Sequence, residues 1–423
     1  MDSRQRVALA LDHVEPDMVP LDLGGSVVTG MHASSVYKLR QVLKLDAPGT
    51  PVKVIDPFQM LGEIRSDLVD ALGVDVVGLI SPHTLFDFDN TGWKPWTLFD
   101  DTPVLVPEGF NTVPEPNGDI LQYPEGDRSL PPSGRMPKGG FYCDILVRQP
   151  SFAEETLNVD DNLEEFAPIS DRDLEHFRRE AERLYAETDK AIFANFGGTG
   201  FGDIALVPAP WLKNPRGIRD IEEWYVSTAA RREYVYRIFE RQCEIALANL
   251  ERLYRAVGNR IALVLISGTD FGMQNGPFVS RKTYRELYMP FLQRENDWIH
   301  AHTEWKTFIH SCGSIMPLID DFIETGFDVM NPVQFSAVNM DSRELKARFG
   351  DRITFWGGGV NTQKTLPFGA VDEVRREVRE QIGIFAPGGG FVFNTNHNVQ
   401  AGVPVENLVA LYETVNEYRK YSA

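Results

Sequence analysis

The sequence predicts an α/β protein: a (β/α)8 TIM barrel with a proline-rich insertion after its second strand. Three observations point there. Eight short runs rich in Val, Ile and Phe, most of them bounded by Gly, alternate with long helical patterns. The segments between the runs are too long for hairpins, so the strands are expected to be parallel and joined by helical crossovers. No Gly-x-Gly-x-x-Gly turn follows any run, which weighs against the open dinucleotide-binding sheet, the other architecture with this rhythm. No repeat of 20–50 residues appears, so solenoids and propellers are excluded. All 423 residues are read as one barrel domain, 1–423, with an inserted irregular or β subdomain, or lid, at 81–160.

Taken in order, the expected strands are Met18–Gly25, Val74–Ile80, Ile192–Gly198, Ile261–Gly268, Lys306–Gly313, Asp328–Gln334, Ile353–Val360 and Phe391–Asn398. The stretch Asp171–Lys190 spaces Leu174, Phe177, Ala181 and Leu184 along one helical face, with Ser170 as N-cap. Further helices are expected over Ala229–Val257, Ser280–His302, Val371–Ile384 and Val405–Tyr418. Asp341 followed by Glu344 reads as a capping box for a short helix. The insertion breaks the pattern: residues 81–160 hold 11 of the 27 prolines, about twice their share. It follows the C-terminal end of a strand, the face on which barrel enzymes build their sites, so it reads either as a lid or as a subdomain without contact to substrate.

Composition narrows the function. Forty-two Lys and Arg against 61 Asp and Glu leave a net charge of −19. This disfavours nucleic acid, whose phosphates need a basic face, and equally an anionic membrane surface. No apolar run is long enough to span a membrane, and the N-terminus lacks the order of a signal peptide. Three widely spaced cysteines, Cys143, Cys243 and Cys312, do not make a disulfide framework. The expectation is a cytoplasmic protein.

The sharpest chemical feature is His310-Ser311-Cys312-Gly313 at the end of the fifth run. Side chains alternate along a strand, so His310 and Cys312 share a side. Imidazole and thiolate suit zinc; the same pair also occurs as a buried Cys beside a structural His. His397 ends the eighth run and reads either as a third ligand at the same barrel mouth or as a cap on the last helix. Asp270, after the fourth run, is a further ligand, a proton carrier or a turn cap. Asn195, Asn331, Gln334 and Asn361 stand at strand ends, where they position substrate or anchor loops. Trp93 and Trp96 could stack on an aromatic ligand or on each other's surroundings.

Several blocks together carry a resemblance that spans nearly the whole chain. They are SRQRVALALDHVEPDMVPLDLGG, DPFQMLGEIRSDLVDALGVDVVGL, SGTDFGMQNGPFVSRKTYRELYMPFL, HSCGSIMPLIDDFIETGFDVMNPVQ and FWGGGVNTQKTLPFG. Their order resembles the uroporphyrinogen decarboxylase superfamily, in its branch of zinc-dependent, corrinoid-linked methyltransferases. That resemblance implies a barrel with its ligand site at the strand C-termini. True uroporphyrinogen decarboxylases carry an Arg-rich segment near the N-terminus, where this chain reads LDLGGSVVTGMHASSVYKLR. The methyltransferase branch holds zinc with a His-x-Cys pair and a distant Cys. His310 and Cys312 match the pair, and His397 stands where the branch commonly has its second Cys.

The departure has a chemical consequence. One thiolate and two neutral imidazoles leave zinc a net charge of about +1, a better Lewis acid toward oxygen than a dithiolate site. The expected reaction is therefore O-demethylation: a methyl group moves from a small methylated substrate, an aryl methyl ether first of all, to cob(I)alamin. The corrinoid-binding Asp-x-His-x-x-Gly signature is missing from the chain, so cobalamin is expected on a separate corrinoid protein. Asp270 would carry the proton, and Asn195, Asn331 and Gln334 would bind substrate. Protons should compete with zinc through the imidazole range. The alternative is a decarboxylase-like lyase or a non-catalytic barrel of the same superfamily; a homo-oligomer is compatible with either.

Overall fold

Seven of the eight predicted runs lie side by side in one parallel sheet. The computed structural model describes residues 1–163, 166–196 and 200–421. Its strands, in chain order, are β1 (Val52–Asp56), β2 (Leu61–Gly62), β3 (Val76–Leu79), β4 (Lys94–Thr97), β5 (Pro103–Val106), β6 (Ile120–Gln122) and β7 (Gly134–Met136). They continue with β8 (Asp144–Ile145), β9 (Ala191–Ala194), β10 (Leu263–Ser267), β11 (Lys306–His310), β12 (Val329–Asn331), β13 (Thr354–Trp356) and β14 (Phe391–Val392). The parallel sheet runs β3-β9-β10-β11-β12-β13-β14. The expected third strand ended at Gly198; Gly197 and Gly198 lie outside the described residues.

The first run, Met18–Gly25, closes the ring without forming a regular strand. On one side Asp22 N–H donates to Phe393 O and Phe393 N–H to Pro20 O; on the other, Asp75 N–H donates to Leu21 O. Pro20 has no N–H to give a ladder, and Gly24 turns the chain at φ +80°, so pairing is limited to single bridges. The result is the eight-staved (β/α)8 barrel the sequence predicts.

The crossover helices follow the predicted faces. Helix Asp171–Glu187 is capped by the Ser170 side chain and buries Phe177, Ala181 and Leu184. The helix expected over Ala229–Val257 starts at Arg232, and a separate helix, Ile221–Ala230, runs into it. At the joint Arg231 leaves helical geometry, and its guanidinium bonds Glu223 and the Ser227 hydroxyl. The helix over 280–302 contains one π turn, Tyr284–Tyr288, ahead of Pro290. Proline cannot donate to the carbonyl four residues back and crowds it, so the ladder widens there. Asp341 caps helix Ser342–Phe349, but Glu344 bonds Arg348 rather than reaching back to complete the capping box.

The insertion folds as two small sheets. One has the order β2-β1-β5-β4, so it recruits residues 52–62 from before the second stave; the other is β6-β7-β8. Inside the barrel, β9, β11 and β13 point Phe193, Phe308 and Trp356 at one another, with ring centroids 4.7–5.7 Å apart. The N-terminal helix Ser3–Leu11 seals this floor with Val7, Ala10 and Leu11. Beside the seal, buried Asp75 accepts from Ser3 and pairs with Arg6 and Arg419.

Candidate metal centre

Strand alternation that buries Phe308 in the floor carries His310 to the mouth two residues later, and Cys312 follows in the turn beyond β11. Gly313, at φ +85°, bends the chain there; a Cβ on it would meet the Gly272 backbone at 2.6 Å. His397 enters from the loop after β14. The ligand atoms of His310, Cys312 and His397 all lie within 4.8 Å of one another, and Cys312 Sγ stands 3.3 Å from His310 Nε2. Zn–N bonds of about 2.0–2.1 Å and a Zn–S bond of about 2.3 Å put tetrahedral neighbours roughly 3.3–3.8 Å apart, so the trio can close on one ion with little movement.

The surroundings prepare the donors. His310 Nδ1 lies 2.5 Å from Asn331 Oδ1, and Asn331 Nδ2 donates to Trp356 O at 2.8 Å. The second bond fixes the amide so that its oxygen faces the ring. His310 therefore carries its proton on Nδ1 and offers a free lone pair on Nε2. Burial pushes both His310 and His397 down to about 4, so both imidazoles are neutral at neutral pH. Burial, and then the neighbouring Asp270, push the Cys312 thiol well above its ordinary value. Without a cation the site is a neutral thiol between two neutral imidazoles, and a metal entering it must expel the thiol proton.

Asp270 lies against this trio without joining it. Its Oδ1 accepts from Cys312 N–H at 2.6 Å and stands 4.0 Å from His310 Nε2. Burial raises its affinity for a proton. A second carboxyl, Asp203, stands half-buried nearby and is pushed up to about 7, by desolvation first and by Asp270 in part. Asp203 follows a glycine-rich stretch with no strand periodicity, and its relation to Asp270 depends on chain folding, so sequence reading missed it.

The other predicted residues divide. Asn331 is behind His310, as described. Gln334 holds the turn after Cys312, its Oε1 accepting from Gly313 N–H at 2.8 Å, and it lines the cavity beside the trio. Asn195 donates to Gly25 O at 3.0 Å across the β9 edge of the mouth, and it does not line that cavity. Asn361 caps the turn at Gln363 and Lys364. Trp93 lies over Lys53 and Trp96 packs edge-on to Phe110, so both belong to the insertion's own packing.

The cavity beside Cys312 and His397 has a volume of about 410 Å³. A larger groove of about 1420 Å³ lies on the outer side of β3, beside helix Asp171–Glu187, and contains none of the trio. Chemistry therefore selects the smaller space. Among the described residues no helix is long and apolar enough to cross a membrane.

Comparison with known proteins agrees with this architecture. Residues 204–418 match the family profile of uroporphyrinogen decarboxylase (URO-D), a stretch that includes His310, Cys312, His397 and Asp270. The uroporphyrinogen decarboxylase of Actinobacillus succinogenes is 34% identical over 77 residues, 18% of this chain and 21% of that enzyme. That of Shewanella loihica is 22% identical over 195 residues, 43% of this chain and 52% of the relative. The chain thus spans between about a fifth and a half of these two relatives' lengths. A solved methyltransferase from Methanosarcina mazei shares the fold along 99% of both chains, with a TM-score of 0.55 and 14% identity.

Proposed function

The chain belongs to the uroporphyrinogen decarboxylase family, and from that premise we propose that it is a zinc-dependent methyltransferase that demethylates a methyl ether. The methyl acceptor is cob(I)alamin on a separate corrinoid protein. The observation that carries the reading is the His310, Cys312 and His397 cluster, with one thiol, two imidazoles and an open side toward a cavity. In the overall reaction the CH3–O bond breaks, a cobalt–carbon bond forms, and the freed oxygen takes up one proton to leave as an alcohol or phenol.

Zinc held by His310, Cys312 and His397 would polarise the ether oxygen and stabilise it as it departs. The chain's own groups do the rest. Asn331 keeps His310 turned with Nε2 toward the site. Asp270, whose burial favours the protonated acid, is the proton donor to the leaving oxygen. Gln334 fixes the turn that presents Cys312. Porphyrinogen decarboxylation is disfavoured, since a substrate with many carboxylates calls for cationic side chains and, among the described residues, no Arg or Lys lines this cavity.

The test is methyl transfer from a series of aryl and alkyl methyl ethers, followed as conversion of cob(I)alamin to methylcobalamin. The chain alone should leave the ethers intact; with reduced corrinoid it should demethylate at least one class of them. Asp270→Asn should slow the poorest leaving groups most, because those depend most on protonation. An equal loss across the series would exclude Asp270 as the acid. Demethylation without any corrinoid would sink the assignment.

A further inference from the structure

Resting on that reading, we infer that the methyl donor is a small, uncharged, hydroxyl-bearing aliphatic ether, of polyol or sugar type, gripped by amide side chains beside the metal trio. The walls of the 410 Å³ cavity decide the class. Besides the metal-site residues they carry the amides of Gln274, Gln334, Gln363, Asn396 and Gln400, and among the described residues Met273 is the one large apolar side chain; the Asn398 amide is tied to Gly30 N–H, Val27 O and Gln59 Oε1.

Three substrate classes fail on these walls. Among the described residues no Phe, Tyr or Trp lines the cavity, so an aryl ether finds no benzenoid stacking partner and a quaternary ammonium no aromatic cage. Tyr225 and Phe278, the aromatics on this side of Asp270, stack on each other at 5.2 Å. A carboxylated donor finds no guanidinium or ammonium on the lining. Amides, in contrast, both donate and accept, which is the pairing a hydroxyl needs. Gln274, Gln334 and Ser336 already form a chain of hydrogen bonds along the rim, and Ser336 reaches on to Gln363.

An independent observation points to a ligand. Asn396 lines the cavity at 3% exposure, and its Oδ1 is buried with no hydrogen-bond partner. A buried acceptor left unpaired is destabilising. A donor from the ligand would remove that cost, and an ether oxygen or an aromatic face cannot supply one. A free hydroxyl elsewhere on the substrate can. The volume has room for a molecule of monosaccharide size and exceeds what methanol alone would fill.

The experiment is calorimetric titration of the zinc-loaded chain, which reads binding without turnover. The probes are methyl glucoside, pinitol and 2-methoxyethanol, set against methoxybenzoate and glycine betaine. At least one of the first three should bind, and more tightly than either of the last two. Asn396→Leu should weaken that probe at least tenfold with zinc content unchanged. Gln274→Ala, at the exposed rim, should weaken it severalfold and guards against a folding defect in the first variant. Tighter binding of methoxybenzoate or betaine, no binding by any of the three hydroxylated ethers, or unchanged affinity in both variants overturns the inference. Methyl transfer to cob(I)alamin from another donor would still leave the methyltransferase reading standing; no methyl transfer from any donor would strike that reading instead.

Discussion

At its N-terminal end the barrel is sealed by Phe193, Phe308, Val329 and Val392. Two residues further along the same strands stand Asn195, His310, Asn331 and Asn394, all buried at the mouth. Period-two alternation sends each pair to the same inner side, so one register builds a dry floor and a polar mouth together. The two ends obey different rules. Floor side chains pack among apolar neighbours and their polar atoms are answered: Trp356 Nε1–H donates to Asp22 Oδ2 at 2.8 Å, and the buried Asp75 charge is met by Arg6 and Arg419. The mouth keeps buried polar atoms without partners, among them the Oδ1 atoms of Asn195, Asn394 and Asn396, and carboxyls whose proton affinity burial raises. A fold retains such groups where a ligand or an ion completes them, so the floor is expected to govern stability and the mouth binding.

Substitutions at the two ends can separate these roles. The largest effect is expected at the floor. Phe308→Ala should lower unfolding free energy by about 3–5 kcal/mol in urea titration, through lost burial and a cavity between Phe193 and Trp356. Asp75→Asn should cost less, about 1–3 kcal/mol, by taking the carboxylate from Arg419 and Ser3 while Arg6 keeps its bidentate pair with Asp17. The zinc content of the molecules that remain folded should not change in either variant. A floor variant that loses zinc while staying folded would join the two ends energetically and break the comparison.

At the mouth the order reverses. Cys312→Ala should abolish zinc retention on dialysis while changing the stability of the metal-free chain by less than about 1.5 kcal/mol, since the thiol it removes is neutral. Asn331→Ala should weaken zinc about 10–100-fold by releasing the His310 ring. Cys143→Ala and Cys243→Ala, remote from the trio, should leave metal content as it is.

Proton linkage sharpens the picture further. His310 and His397 are held down to about 4, so between pH 5 and 8 they have no proton to lose to the metal. Cys312, raised by burial, has one. Zinc uptake should therefore release about one proton per ion at pH 7, and zinc affinity should rise about tenfold per pH unit over the neutral range. This replaces the competition through the imidazole range that the ordinary histidine value suggests. Release near zero, or affinity independent of pH, would contradict a protonated thiol in the metal-free site.

Much of this was legible in the sequence because it depends on local periodicity. The eight runs and the His-x-Cys spacing are patterns of neighbouring residues. What was not legible depends on distant segments meeting. Residues 52–62 form strands because they find β5 of the insertion, about 50 residues on. Asp203 matters because folding brings it near Asp270. The irregular first stave follows from Pro20 and Gly24, which keep a β-type run from making a ladder. Asn331 was visible as a polar strand end, but its place behind His310 needed the β11–β12 register, His310 opposite Asn331.

The central claim, a one-sulfur zinc site of His310, Cys312 and His397, is tested most directly by X-ray absorption at the zinc edge of protein loaded with one equivalent of zinc. The predicted spectrum has one sulfur at about 2.3 Å and two imidazole nitrogens at about 2.0–2.1 Å, with the remaining position filled by a light atom. Cys312→Ala should remove the sulfur shell. Two or more sulfurs, or a spectrum with no sulfur and no imidazole scattering, would contradict the account.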